Sequence, residues 1–147
     1  MNFPARCFWR FLQAAILTGA LLLPGVAVAA GYVVVANKGV EMDSVSKAEL
    51  QAIFLGEKVK WSKAKYIKVA LLDNGAVMKE FLQEVLGKTP IQFDNHWNKL
   101  VFTGKASVPP VFADSSQMVN FVAGKAGAIG IVAAGQAGSA VKIIQVK

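Results

Sequence analysis

The sequence predicts an α/β protein in which one mixed sheet is covered by helices. Apolar, β-branched runs of strand length alternate along it with runs whose apolar residues recur at helical spacing. The helical runs open on capping residues and close on glycine. The part that follows the first thirty residues has the length of one domain, 31–147.

Those first thirty residues read as a secretory signal. Arg6 and Arg10 form a positive head, an apolar run follows from Phe11 to Leu23, and Pro24-Gly25 breaks it. Val26 to Ala30 then offers small residues for cleavage after Ala29 or Ala30. The run is shorter than the roughly 20 residues that cross a bilayer as a helix, which argues against an uncleaved anchor. Cys7 precedes the run, where a lipid-modified cysteine would follow it. The expected product is exported, periplasmic and free of cysteine, so burial alone must stabilise it.

Tyr32-Val-Val-Val-Ala36 is a continuous β-branched run and reads as a buried strand. After a polar loop, Ser46-Lys-Ala-Glu49 is a capping box, and Leu50, Ile53 and Phe54 place an apolar stripe on the helix that Gly56 closes. Tyr66 to Leu72 is the second strand, ending in the turn signal Asp73-Asn74-Gly75. The helix from Ala76 carries Val77, Phe81 and Val85, with Met78, Leu82 and Leu86 beside them, up to Gly87. Thr89-Pro-Ile-Gln92 is a second capping box, with proline at the first helical position. Its helix brings in Phe93, Trp97, Leu100 and Val101 and stops near Gly104.

Val108-Pro-Pro-Val-Phe112 is extended, and its prolines confine it to a sheet edge. Asp114-Ser115-Ser116 caps a fourth helix whose Met118, Val119 and Val122 face inward, with Gly124 beyond its end. Ala128 to Val132 and Val141 to Val146 are the last strands, joined by a loop or a short helix.

Composition excludes several function classes. Removing the two arginines of the leader lowers the net charge from +7 to +5 and leaves fourteen lysines as the strong bases. Bidentate arginine recognition of an anion is then absent. Export and the lack of a dense basic run argue against nucleic acid. One histidine and no cysteine in the mature part exclude an ordinary zinc site or a Cys–His pair, and His96 reads as structural. No cofactor and no catalytic residue is expected.

Binding is better supplied. Ligands of α/β sheets settle where strands end and helices begin, because unpaired amides and the helix dipole attract anions there. Three places qualify: Asn37 and Lys38 after the first strand, Asn74 and Gly75 after the second, and Ser115 and Ser116 before the fourth helix. The competing reading of each is helix capping alone. Asp73 and Asp114 beside them suit an oxyanion that carries a proton, which phosphate does and sulfate does not. Lys58, Lys60, Trp61 and Lys63 suggest either a partner-facing surface or an aromatic packed on its own domain among solvated lysines.

The stretches VSKAELQAIFLGEKVKW, IKVALLD, MKEFLQEVLGKTP, HWNKLVFTGK and SSQMVNFVAGKAGAIGIV, in this order, resemble the phosphate-binding proteins of ABC uptake systems, above all their small relatives. The likeness runs from Val33 to Val146. It implies a single lobe of the type 2 periplasmic-binding-protein fold, a periplasmic home, a small anion such as phosphate as ligand, and a membrane permease as partner. In the larger relatives an arginine and a Ser-Gly-Thr segment grip phosphate at a helix start. The matching place here is Leu72 to Ala76, where Gly75 fits, the arginine is absent and the serine and threonine are replaced. The family's terminal tyrosine is Ile131. A chain of this length offers one wall of a cleft that larger relatives close with a second lobe, so either binding is weak or a second chain completes it. The competing function is an interaction module that kept the scaffold without the ligand.

Overall fold

The computed structural model describes residues 31–63, 65–73 and 75–147. The expected leader therefore lies outside the described residues, as does Asn74. No helix among the described residues is long and apolar enough to cross a membrane.

Tyr32–Ala36 forms β1, Lys68–Val69 β5, Ala128–Ala133 β8 and Lys142–Val146 β9; with the two-residue β2 (Ser44–Val45) they make a sheet in the order β2-β9-β1-β8-β5. The expected single strand over Tyr66 to Leu72 is divided. Lys65–Tyr66 (β4) pairs with Lys60–Ser62 (β3) as a separate hairpin, and β5 follows. Leu71–Leu72 (β6) pairs with Val111–Phe112 (β7). The division is one of partners: the edge of this strand faces the hairpin at one end and β7 at the other. The ladder to β8 continues through the break, since the Ala70 amide donates to Ile129 O at 2.9 Å.

Strand direction decides where a ligand can sit. β5 runs parallel to β8, and β6 runs parallel to β7. β1 is antiparallel to both of its neighbours, β8 and β9. The carboxyl ends of β6, β7 and β8 therefore lie at one end of the sheet, and the carboxyl end of β1 lies at the other.

Both faces of the sheet are covered. Tyr32, Val34 and Ala36 share a face with their partners Ala133, Ile131 and Ile129, because paired residues point the same way. On that face lies α2 (Gly75–Phe81), whose Phe81 meets the Tyr32 ring edge-on at 5.3 Å and the Phe54 ring at 4.7 Å. Phe54 ends α1 (Lys47–Phe54). Behind α1 stands α3 (Pro90–Phe102), whose Trp97 Nε1 donates to Phe54 O and whose His96 ring meets Leu55 O at 2.8 Å. The opposite face carries α4 (Ser115–Gly124). Gly130 lets it lie close: a Cβ there would come within 2.5 Å of Met118 Sδ. Covered on both sides, β8 is buried from Ala128 to Val132.

The caps differ in detail from the expectation. Thr89 and Gln92 form the full capping box. Ser46 accepts from the Glu49 amide, but the Glu49 carboxylate turns away to Lys58 instead of returning to the cap. The second helix closes on Gly87 as expected, yet its last turn, Leu82–Leu86, widens to π geometry. Gly124 is the last residue of α4 rather than one beyond it, and the link between β8 and β9 is a loop with a turn at Ala134 and Gly135 rather than a short helix.

Candidate functional site

At the end of the sheet where β6 and β7 finish, two chain segments leave side by side. The Asp73 amide donates to Phe112 O at 2.7 Å and ties the two strand ends together. One segment turns through Asp73 into α2, the other through Asp114 into α4. Two helix starts thus follow neighbouring strand ends, each with the positive end of its helix dipole at this end of the sheet.

Gly75 is exposed, and a Cβ built on it would meet nothing within 4 Å, so the space on its side-chain side is open. Beside it lies a hollow of about 210 Å³ lined by Asp73, Gly75, Met78, Lys79, Asp94 and apolar neighbours. Lys79 was not singled out by sequence reasoning. The signal was there: it stands one helical turn after Gly75 on the helix that the turn opens.

The start of α4 is more occupied. Asp114 caps it, accepting from the Gln117 amide at 2.9 Å and from the Ser116 hydroxyl at 2.7 Å. The Ser116 hydroxyl first, then the Gln117 amide, holds the Asp114 carboxyl below its usual range, so it is a charged acceptor at neutral pH. The Ser115 hydroxyl is buried and accepts from the Ala133 amide at 3.1 Å, which locks the start of α4 to the end of β8.

The six residues singled out from sequence do not converge. Gly75, Ser115 and Ser116 belong to the end just described, and Asn74 lies outside the described residues. Asn37 and Lys38 stand at the opposite end, where the Asn37 amide donates to Ala128 O, about 17 Å along β8 from Ala133 at the usual strand rise. The reason is the reversed direction of β1. Asn37 is also engaged: its side-chain amide donates to Val122 O and Ala123 O, closing the last turn of α4, and its carbonyl oxygen accepts from the Gly39 amide. Lys38 is exposed.

Of the two readings of the lysine-rich loop, the structure favours the aromatic packed on its own domain. Trp61 is half-buried and its Nε1 donates to Gly127 O at 2.9 Å. Lys60 Nζ sits 4.7 Å from the centre of the Tyr66 ring. His96, as expected, is structural, bonding the backbone end of α1.

No protein-family model matches the sequence, and no curated protein does. Solved structures do match the fold. An ABC-type phosphate transport receptor from Vibrio cholerae superposes with a TM-score of 0.60 at 17% identity, over 79% of this chain and 46% of the receptor. PstS from Borrelia burgdorferi gives a TM-score of 0.62 at 13% identity, over 80% of this chain and 47% of that one. The fold is that of the periplasmic binding proteins. At these identities the likeness is one of architecture, and the chain spans less than half the length of either protein.

Proposed function

We propose that this chain binds a small oxyanion, inorganic phosphate above others, as an exported solute-binding protein of uptake or sensing. The observation that carries the reading is the pair of adjoining helix starts at the ends of β6 and β7, in a fold shared with phosphate receptors. The open space beside Gly75 gives the anion its approach, and Lys79, lining the same hollow, supplies positive charge within one turn.

The carboxylates set the choice of anion. Asp73 and Asp94 line the hollow and Asp114 caps the neighbouring helix. A fully ionised sulfate meets only repulsion from them. A phosphate that keeps a proton donates it to one carboxylate while its other oxygens accept from amides. With no arginine fork and one wall of a cleft, each contact stays partly in water, and affinity in the millimolar range is expected.

Calorimetry with phosphate and with sulfate tests this. Phosphate is expected to bind with roughly tenfold preference, about 1.4 kcal/mol. Asp114→Asn keeps a capping side chain but loses the charged acceptor, and is expected to reduce that preference. Heat with neither anion at millimolar concentration would favour the interaction module that kept the scaffold without the ligand.

A further inference from the structure

A second and larger cleft, about 740 Å³, opens along the free edge of β5 and shares no lining residue with the hollow at Gly75. Its volume lies within the range of small-molecule sites, roughly 300–1,000 Å³. Tyr66, Trp97 and Phe121 give it aromatic walls from three different elements, and Lys58, Lys68 and Lys105 give it positive charge. No Asp or Glu lines it. Lys58 is paired with Glu49, whereas Lys68 and Lys105 make no ion pair among the described residues. The surplus charge is therefore theirs.

The backbone of the strand adds a directed donor. On β5 the Lys68 and Ala70 amides donate to Gly127 O and Ile129 O of the sheet. The alternate residues point away from β8. Of these, the Ile67 amide bonds Val59 O and the Leu71 amide bonds Pro110 O. Val69 between them bonds no described residue on that edge. The chain opposite contains Pro109 and Pro110, which have no N–H to offer the Val69 carbonyl, and the Pro110 carbonyl is taken by the Leu71 amide.

The width of this gap selects the ligand. A partner's strand adding to the edge needs successive free residues, and here the positions two before and two after Val69 are already taken. A bare inorganic anion leaves the aromatic walls unused. We propose that this cleft binds a small organic anion with an apolar body, a carboxylate of aryl or medium-chain type. Its head accepts from the Val69 amide between Lys68 and Lys105, and its body lies against Tyr66, Trp97 and Phe121.

The test uses the full ¹⁵N-labelled chain titrated with 2-naphthoate, with neutral 2-naphthalenemethanol and with inorganic phosphate. Naphthoate is expected to shift the Val69, Lys68 and Lys105 amides and the Trp97 indole N–H, and to bind at least fivefold more tightly than the alcohol. The exposed pair Lys68→Ala and Lys105→Ala together should weaken naphthoate about tenfold. Phosphate should leave these signals in place, so failure here is distinct from failure at the Gly75 end. Equal binding of acid and alcohol, shifts confined to other residues, or full affinity in the double variant would each overturn the proposal.

Discussion

Gly127 shows how much one residue can decide. It takes φ +77°, in the left-handed region, and a Cβ there would lie 2.2 Å from the Tyr66 carbonyl oxygen. Its own carbonyl accepts from Trp61 and from the Lys68 amide, so the residue joins the hairpin, β5 and β8. Gly127→Ala combines backbone strain with a clash against main chain and is expected to cost about 2 kcal/mol or more, read as a lower urea midpoint. Tyr32 gives a pH signature. Burial first, then the hydrogen bond its hydroxyl makes to Glu84 and the charges of Glu84 and Glu80, push its phenol up to about 12. The folded state thus keeps a proton that the unfolded chain gives up near pH 10. This contribution to stability is complete below about pH 10 and is lost as pH rises through about 12. Tyr32→Phe should flatten the stability curve over that window, which paired urea denaturations of the two proteins would reveal.

At the scale of elements, local chemistry was largely legible. The box at Thr89 needs only residues three apart and a proline, all visible in sequence, and it formed in full. Thr89→Ala is expected to lower stability by about 1 kcal/mol. The box at Ser46 formed by half because Lys58, nine residues on, took the Glu49 carboxylate, and no local rule weighs such a competitor. Ser46→Ala should accordingly cost more than Glu49→Gln, whose partly exposed ion pair is worth well under about 1 kcal/mol. Guanidinium denaturation of both variants checks the order. The division of the strand from Tyr66 to Leu72 was hidden for a similar reason. No glycine or proline interrupts it, and only the changing partners along its edge, Val59 and then Pro110, break it.

For the whole molecule, strand direction mattered most and was the least readable feature. Alternating strands and helices announced an α/β sheet, and motif order pointed to the fold that the solved receptors share. Nothing in YVVVA states whether that strand runs with or against its neighbours. Direction is fixed by which distant strands pair, here β8 and β9 about a hundred residues away. Reversal of β1 carries Asn37 and Lys38 away from Gly75 and Ser115 and leaves one end of the sheet as the anion candidate. Lys38→Ala is therefore expected to leave phosphate affinity unchanged, and Lys79→Ala to weaken it several-fold, by calorimetry. The most direct measurement is a phosphate titration followed by ¹H–¹⁵N amide shifts across the chain. The expected result is a saturable set of shifts at Gly75, Ala76, Ser115 and Ser116, with Asn37 and Lys38 unmoved. Shifts centred on Asn37 and Lys38, or none in either place, would contradict the account.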